Sequence, residues 1–497
     1  MSAISTVKES ELETYFETFQ KNIVGIDQTF ESPYGIQKLI YTDWTASGRL
    51  YRPIEDKMLH QFGPFVANTH TETTVSGTAM TKAYHHARNI IKAHVNASPK
   101  DVLITCGSGM TGVVNKFQRI LGIKVPEQLK ENINIPEEKI PVVFVSHMEH
   151  HSNQTSWLET IAKVVVIPCN KEGLFCIENF KKVLDKYKHW PQKIASITGC
   201  SNVTGIKTPY YEVAKLMHQN NGLCFVDFAC SAPYVNIDMH PNDPEAYLDA
   251  VFFSPHKFLG GPGTSGVLIF NEKLYHNLVP DCPGGGTVDW TNPWGGRKYI
   301  DNIEEREDGG TPGFLQVIRT SLAIKLKEKM GVDAMLKREK ELITYFFKRM
   351  ENNPKILILA GEHKNRLGVI SFTIENLHHN LAVKILNDRF GIQTRGGCSC
   401  AGTYGHYLFE MDELKSEAII NRVMEGKIED KPGWIRISLH PTTTNTELAF
   451  VCDSIISLSE NSETWKEDYV FKEGKYLHKT KESHQITSYI TEKWFEL

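Results

Sequence analysis

The sequence predicts an α/β fold: a large domain on a mainly parallel sheet, followed by a smaller α+β C-terminal domain. Two observations predict it. Short apolar runs alternate with longer amphipathic stretches through the first three hundred residues, the pattern of strands joined by crossover helices. No repeat of roughly 20–50 residues is visible, so a solenoid or propeller is not expected. The chain has 497 residues, of which 41% are hydrophobic and 23% charged, an ordinary globular composition with room for two large domains.

In chain order, the runs at 102–105 (VLIT), 142–146 (VVFVS), 164–168 (VVVIP), 195–198 (ASIT), 223–227 (LCFVD), 251–254 (VFFS) and 266–270 (GVLIF) read as buried strands. A helix is predicted over 73–94, where Met80, Ala83, Tyr84, Ala87, Ile90, Ile91 and Ala93 recur near 3.6-residue spacing. Others are expected over 113–121 and 211–220. Between 280 and 311 the composition turns to Gly, Pro, Asp and Trp, which reads as a long functional loop. A long helical pattern then covers 313–352, and ILILA, GVISFTI and WIRISL read as strands around a helix at 380–390. From 459 the chain becomes polar, with aromatics placed to pin the tail down. The division predicted is an N-terminal segment 1–36 packed on the small domain, a large domain 37–305, a small domain 306–458 and a polar extension 459–497.

Charge and leader content exclude several classes. Lys plus Arg is 55 against 59 for Asp plus Glu, a net charge of −4, so no basic nucleic-acid arm is present. The opening MSAISTVKESELETYF lacks the apolar core of a signal peptide, and no stretch reaches about 18 uninterrupted apolar residues. A soluble, cytoplasmic protein is expected, with neither membrane nor nucleic acid as partner. Ten cysteines are too few for a disulfide framework, and only Cys398 and Cys400 lie close together.

The sharpest chemical signal is Ser254-Pro255-His256-Lys257-Phe258-Leu259-Gly260-Gly261, a lysine where an apolar strand meets a glycine turn. Burial drives an ammonium toward the neutral amine that forms Schiff bases, although a lone lysine in such a place is most often a surface residue. Asp227 ends one strand and Asn202 follows another. In an open parallel sheet, strand ends of this kind converge on the ligand crevice. An isolated aspartate there would as readily cap a helix.

Upstream, Cys106-Gly107-Ser108-Gly109-Met110 is a small-residue turn before a helix, which suits a phosphate; it matches neither GxGxxG nor GxxxxGK[ST]. His150, in Met148-Glu149-His150-His151-Ser152-Asn153, follows a strand. Without HExxH or paired CxxC spacing no metal site is expected, and an aromatic lid or acid–base role is preferred. In Thr394-Arg395-Gly396-Gly397-Cys398-Ser399-Cys400-Ala401-Gly402, positive charge beside the thiols favours a thiolate nucleophile, with inert small residues or a redox pair as the other readings. Arg436 is a second candidate clamp for a carboxylate.

In this order, YTDWTAS at 41–47, EHHSN, SNVTG, VDFAC, SPHK and RGGCSCAG resemble the class V aminotransferase family of pyridoxal 5′-phosphate enzymes, most closely its cysteine desulfurase and selenocysteine lyase branch. The resemblance spans roughly residues 41–457 and implies the fold type I of pyridoxal phosphate-dependent transferases. It implies that Lys257 holds the cofactor as a Schiff base, Asp227 pairs with its ring nitrogen and His150 stacks on the ring. Ser108, Gly109, Ser254 and His256 would hold the phosphate. Thr311 would reach the phosphate of a neighbouring subunit, which implies a homodimer with the site at its interface. Asn202 would lie near the cofactor's phenolic oxygen and the substrate carboxylate, Arg436 would clamp that carboxylate, and Arg395 would stand beside the reactive loop.

Cys400 aligns with the family's nucleophile. The activity implied is conversion of L-cysteine to L-alanine, with the sulfur left on Cys400 as a persulfide for an acceptor protein. The alternatives are a selenocysteine lyase, or another class V aminotransferase or epimerase acting on a different amino acid. A binding partner without turnover is the reading from another class, which the intact Lys257, Asp227 and Arg436 oppose. Two departures stand out. Cys230 occupies the place where the family usually has a glutamine that donates to the phenolic oxygen, a far weaker donor. The reactive loop also offers Cys398 beside Cys400 and runs on as Gly402-Thr403-Tyr404-Gly405-His406.

Overall fold

The computed structural model describes residues 10–69, 71–427, 431–480 and 491–496, so parts of the predicted N-terminal segment and C-terminal extension lie outside the described residues. The chain forms two compact units. The larger comprises Ser47–Ser201 and Lys207–Val332; the smaller comprises Met1–Ala46, Asn202–Ile206 and Asp333–Leu497.

The larger unit is built on seven strands: β1 (Asp101–Cys106), β2 (Val142–Ser146), β3 (Lys163–Ile167), β4 (Lys193–Thr198), β5 (Leu223–Asp227), β6 (Ala250–Phe253) and β7 (Gly266–Asn271). Their order is β1-β7-β6-β5-β4-β2-β3. All seven predicted strands are present, and the fold is the α/β one expected. The pairs from β6 to β3 are parallel, while β7 runs antiparallel to both β6 and β1. Two reversals return β1 to the common direction, so the segments after β1, β2, β5 and β6 all emerge at one edge of the sheet. Ligands of open α/β sheets bind at that edge.

Apart from the partly buried edge strand β3, the strands read as near-continuous apolar runs because both faces are covered. The helix α1 (Val75–His94) begins where the side chain of Thr74 accepts from Gly77 N, two residues inside the predicted start, and buries Met80, Tyr84, Ala87 and Ile91. On α2 (Met110–Ile120), Val113, Val114, Phe117 and Ile120 are buried, and Phe117 packs 5.0 Å from the ring centroids of Phe225 and Phe270. Further helices are α3 (His151–Leu158), α4 (Tyr210–Gln219) and α5 (Phe314–Met330).

The predicted loop over 280–311 contains structure that its composition conceals: an antiparallel hairpin, Val288–Thr291 with Arg297–Tyr299, and the short helix Ile303–Arg306. The hairpin's face is largely exposed, so it lacks the alternation that marks a half-buried strand. The long helical pattern over 313–352 is two helices, α5 and α6 (Val332–Met350), because Gly331 takes φ +77°, where a helix ends.

The smaller unit carries a four-stranded antiparallel sheet of β8 (Ile356–Ile358), β9 (Val369–Ile374), β10 (Arg395–Gly397) and β11 (Trp434–Ser438), in the order β8-β9-β11-β10. The helices α7 (His379–Phe390) and α9 (Asn445–Trp465) join its core through Leu381, Ile385, Leu448 and Ile455, while α8 (Gly402–Leu408) follows the cysteine loop. The segment 202–206 is held in this unit by Ser371 Oγ donating to Val203 O and by Leu367 N donating to Gly205 O. Gly205 sits at φ +72°, where a Cβ would lie 2.4 Å from Leu367 O, so no larger residue fits there. The tail is more structured than its polarity suggests. Ser459–Trp465 completes α9, and a hairpin, Tyr469–Lys472 with Lys475–His478, packs Tyr469 and Tyr476 on the core. No described helix is long and apolar enough to cross a membrane.

Candidate active site

In the larger unit the predicted residues gather at the strand ends. Lys257 lies in the short 3₁₀ turn Pro255–Lys257 directly after β6. Asp227, the last residue of β5, is 3% exposed, and its carboxylate accepts from Ala229 N at 2.7 Å. Burial pushes the Asp227 carboxyl up to about 6, against that hydrogen bond and the nearby charge of Lys257, which pull it down. Among the described residues no cation lies within salt-bridge distance of this carboxylate, and the protonated nitrogen of a pyridine ring would be such a partner.

The turn after β1 forms a narrow cradle. Met110 N donates to Ser254 Oγ at 2.9 Å, and His256 Nδ1 donates to Ser108 O at 2.7 Å. A Cβ on Gly109 would lie 2.8 Å from His256 Cε1 and 3.1 Å from Ser254 Oγ, so only glycine leaves this space open. The N-terminus of α2 adds its dipole, as a phosphate requires. Since Nδ1 of His256 already spends its proton on a carbonyl, the neutral ring offers only an acceptor at Nε2. Burial and the charge of Lys257 lower its pKa, so His256 can donate to a phosphate only when the anion itself supplies the second proton's stabilisation. The residues present therefore fit pyridoxal 5′-phosphate: an open phosphate cradle, a lysine and a buried, charge-deficient carboxylate.

His150 caps α3, its Nδ1 accepting from Ser152 N at 3.1 Å. Ser152 Oγ meets Thr111 Oγ1 at 2.6 Å, which ties the histidine turn to the first turn of α2. Cys230 is buried, its thiol pointing at Ser201 O at 3.8 Å. Thr311 is exposed on the turn before α5, and among the described residues no hydrogen bond ties it to the cradle. No group of three metal-ligating side chains occurs among the described residues.

The sequence reading gave no role to Glu149, which the structure places at the centre of this edge. It accepts from Ser146 N and Oγ, Asn153 Nδ2 and Thr198 N, so it ties the ends of β2 and β4 to α3. Burial pushes it up to about 7, with the charge of Asp227 adding to the rise. Its only sequence signal was its place in EHHSN.

The other predicted residues gather in the smaller unit. Arg395 and Arg436 face each other across β10 and β11. Like charges placed directly opposite repel, and Asp43 resolves the conflict. Its Oδ1 accepts from Arg436 Nη2 at 2.8 Å and its Oδ2 from Arg395 Nε at 2.9 Å. Burial works against the Arg395 cation, yet Asp43 leads a set of groups, Cys400 among them, that hold it above its ordinary range. Arg436 is 3% exposed; Nη1 donates to Asn202 O at 3.1 Å and Nε has no partner. Asn202 Oδ1 is likewise buried and unpartnered. The unspent N–H of this buried guanidinium suits a bound carboxylate, whereas Asn202 Oδ1 is an acceptor and calls for a donor. Cys400 is exposed and Cys398 partly so.

Asp227 yields a prediction for the cofactor-free protein. A carboxyl raised from 3.8 to about 6 stabilises the fold relative to the ionised state below pH 4, and that contribution is lost as pH rises through 6. Urea unfolding should show wild type losing up to about 3 kcal/mol relative to Asp227→Asn between pH 4 and pH 6.5. Parallel curves for the two proteins would show that burial does not perturb this carboxyl.

The profile of the family Aminotransferase class-V matches residues 40–451. A protein named probable cysteine desulfurase from Halalkalibacterium halodurans is 28% identical over 367 residues, covering 73% of this chain and 84% of that protein. One of the same name from Staphylococcus aureus is 28% identical over 371 residues, with the same coverage. Among solved structures, the apo cysteine desulfurase from Thermococcus onnurineus superposes with a TM-score of 0.72 at 19% identity, over 92% of this chain and all of that one. A cysteine desulfurase from Escherichia coli in its S-sulfonic acid form gives 0.69 at 20% identity, over 90% and 98%. At such identities these two structures establish the shared fold.

Proposed function

The chain belongs to the class V aminotransferase family of pyridoxal 5′-phosphate-dependent enzymes, and from that premise we propose that it is a cysteine desulfurase converting L-cysteine to L-alanine, with Cys400 receiving the sulfur. The observation that carries the proposal is an exposed Cys400 in the same unit as two arginines paired on Asp43, in a chain whose Lys257 and Asp227 suit the cofactor.

Bound pyridoxal 5′-phosphate supplies an electron sink for the bonds at the substrate's α carbon. Ser108, Gly109, Ser254 and His256 would hold its phosphate, Asp227 would keep its ring nitrogen protonated, and His150 would cover its ring. Lys257 would hold it covalently through Nζ, and as a free amine the same Nζ would take and return the proton at the substrate's α carbon. Arg436 and Asn202 orient the substrate's carboxylate. The thiolate of Cys400 then attacks the substrate's sulfur. An S–S bond forms as the Cβ–S bond breaks, the carbon keeps the electron pair, and its protonation yields alanine. Arg395 stands beside the reacting loop. Cys230, a weak donor, would hold the cofactor's phenolic oxygen poorly. Thr311 serves the second copy in a homodimer, and the persulfide passes to an acceptor protein.

The experiment is a substrate panel on the holoenzyme: L-cysteine, L-selenocysteine and amino acids without sulfur or selenium, with alanine, sulfide and keto acid followed. Alanine from L-cysteine supports the proposal. Turnover confined to selenocysteine identifies a lyase, and turnover confined to the other amino acids identifies a transaminase or epimerase that makes no use of Cys400.

A further inference from the structure

The backbone around Cys400 is strained, and among the described residues it alone has two successive non-glycine residues at positive φ. Ser399 and Cys400 adopt φ +48° and +56°, two successive left-handed residues of which neither is glycine, and Ala401 N donates to Cys398 O at 3.0 Å to close the turn. Glycine and asparagine are the usual occupants of both corners of such a mirror-image turn, because a Cβ is crowded there. A strained turn that persists must be held by its surroundings.

Two hydrogen bonds hold it, both on Ser399. The indole Nε1 of Trp434, a fully buried residue of β11, donates to Ser399 Oγ at 3.1 Å. Asn202 Nδ2 donates to Ser399 O at 2.7 Å. Both donors are themselves fixed: Trp434 is two residues before Arg436 on the same strand, and Asn202 offers its backbone carbonyl to Arg436 Nη1. The result is a continuous set of contacts, from Asp43 through Arg436 and Asn202 to Ser399, ending one residue from the exposed thiol.

We propose that Ser399 and Trp434 are positioning residues for Cys400, and that Asn202 joins the nucleophile's turn to the arginine that clamps the substrate's carboxylate. The role of Cys400 rests on the function proposed above; the positioning does not. Seating a carboxylate on Arg436 and Asn202 then fixes the turn at the moment the thiolate is needed. In wild type the turn keeps Cys400 at its corner, in solvent and beside Arg395, while Cys398 stays half-buried at its base.

Alkylation of the holoenzyme by iodoacetamide without any amino acid present tests this, with site-resolved mass spectrometry and exposed Cys282 as the internal reference. Ser399→Ala and Trp434→Phe remove the same hydrogen bond from its two ends, so a failure of one variant to fold leaves the other. Each should lower the Cys400 rate relative to Cys282 by about threefold or more, and the double variant should fall no further than the larger single effect. In turnover, kcat should drop by about tenfold with KM held within about twofold, because the carboxylate clamp is untouched. Unchanged Cys400 rates in both variants, or a double variant equal to the product of the singles, overturn the positioning. If the alkylation ratios shift in a protein that makes no alanine, the positioning stands and the desulfurase reading falls.

Discussion

Lys257→Ala is expected to abolish turnover, by roughly 10³-fold or more, since one side chain both holds the cofactor and moves the substrate's proton. The change should leave the fold intact. Gly48 N donates to His256 O at 2.8 Å, and a Cβ on Gly48 would lie 1.9 Å from Phe258 O, so the backbone that presents the lysine is gripped from outside its side chain. The lysine side chain itself is only half-buried. Lys257→Arg should fail equally, because a guanidinium does not give up its proton at any working pH. The check is absorbance and alanine production measured on the same preparations: both variants should lose the visible absorbance of covalently held cofactor while unfolding at a temperature close to that of the cofactor-free wild type. An active Lys257→Ala would remove the lysine from the mechanism.

The second large effect is expected at the cysteine loop. Cys400→Ser should cut alanine formation from L-cysteine by about 10²-fold or more, since a hydroxyl at neutral pH is a far poorer nucleophile toward sulfur than a thiolate. Cofactor binding should be unchanged, because Cys400 is not one of the residues that form the phosphate cradle. Cys398→Ser is the contrast. It sits at the base of the turn, partly buried, while Cys400 is exposed at the corner. Its replacement should change the rate by only about twofold. Equal losses at the two positions would mean that the pair acts together, and a loss at Cys398 alone would exchange their roles.

The large sheet was legible because its inner strands are buried on both faces and therefore written as apolar runs, and even the partly buried edge strand β3 keeps one. The strand ends were legible for a related reason: a polar residue such as Asp227 or Lys257 stands out where an apolar run stops. Structure built on exposed faces was not. The hairpin with Trp290 and Trp294 shows no alternation, because nothing covers it to demand one. Helix α6 merged with α5 because one glycine's positive φ separates them without a change in composition.

Groups acting across long sequence separations left even less trace. Asp43 lies hundreds of residues before the two arginines it neutralises, and its importance follows only from β10 and β11 setting those arginines opposite each other. Glu149 was visible as a letter in a motif, whereas its four donors come from β2, α3 and β4 together. Ser399 reads as a small residue between two cysteines until its φ and its two donors are known.

The most direct test of the central claim is a single-turnover reaction of holoenzyme with a limiting amount of L-cysteine, quenched with an alkylating agent and digested for mass spectrometry, with alanine quantified in the same sample. One sulfur atom added at Cys400 for each alanine formed is the predicted result. Alanine formed without any sulfur on Cys400, or L-cysteine left unconsumed by enzyme that carries its cofactor, would contradict it.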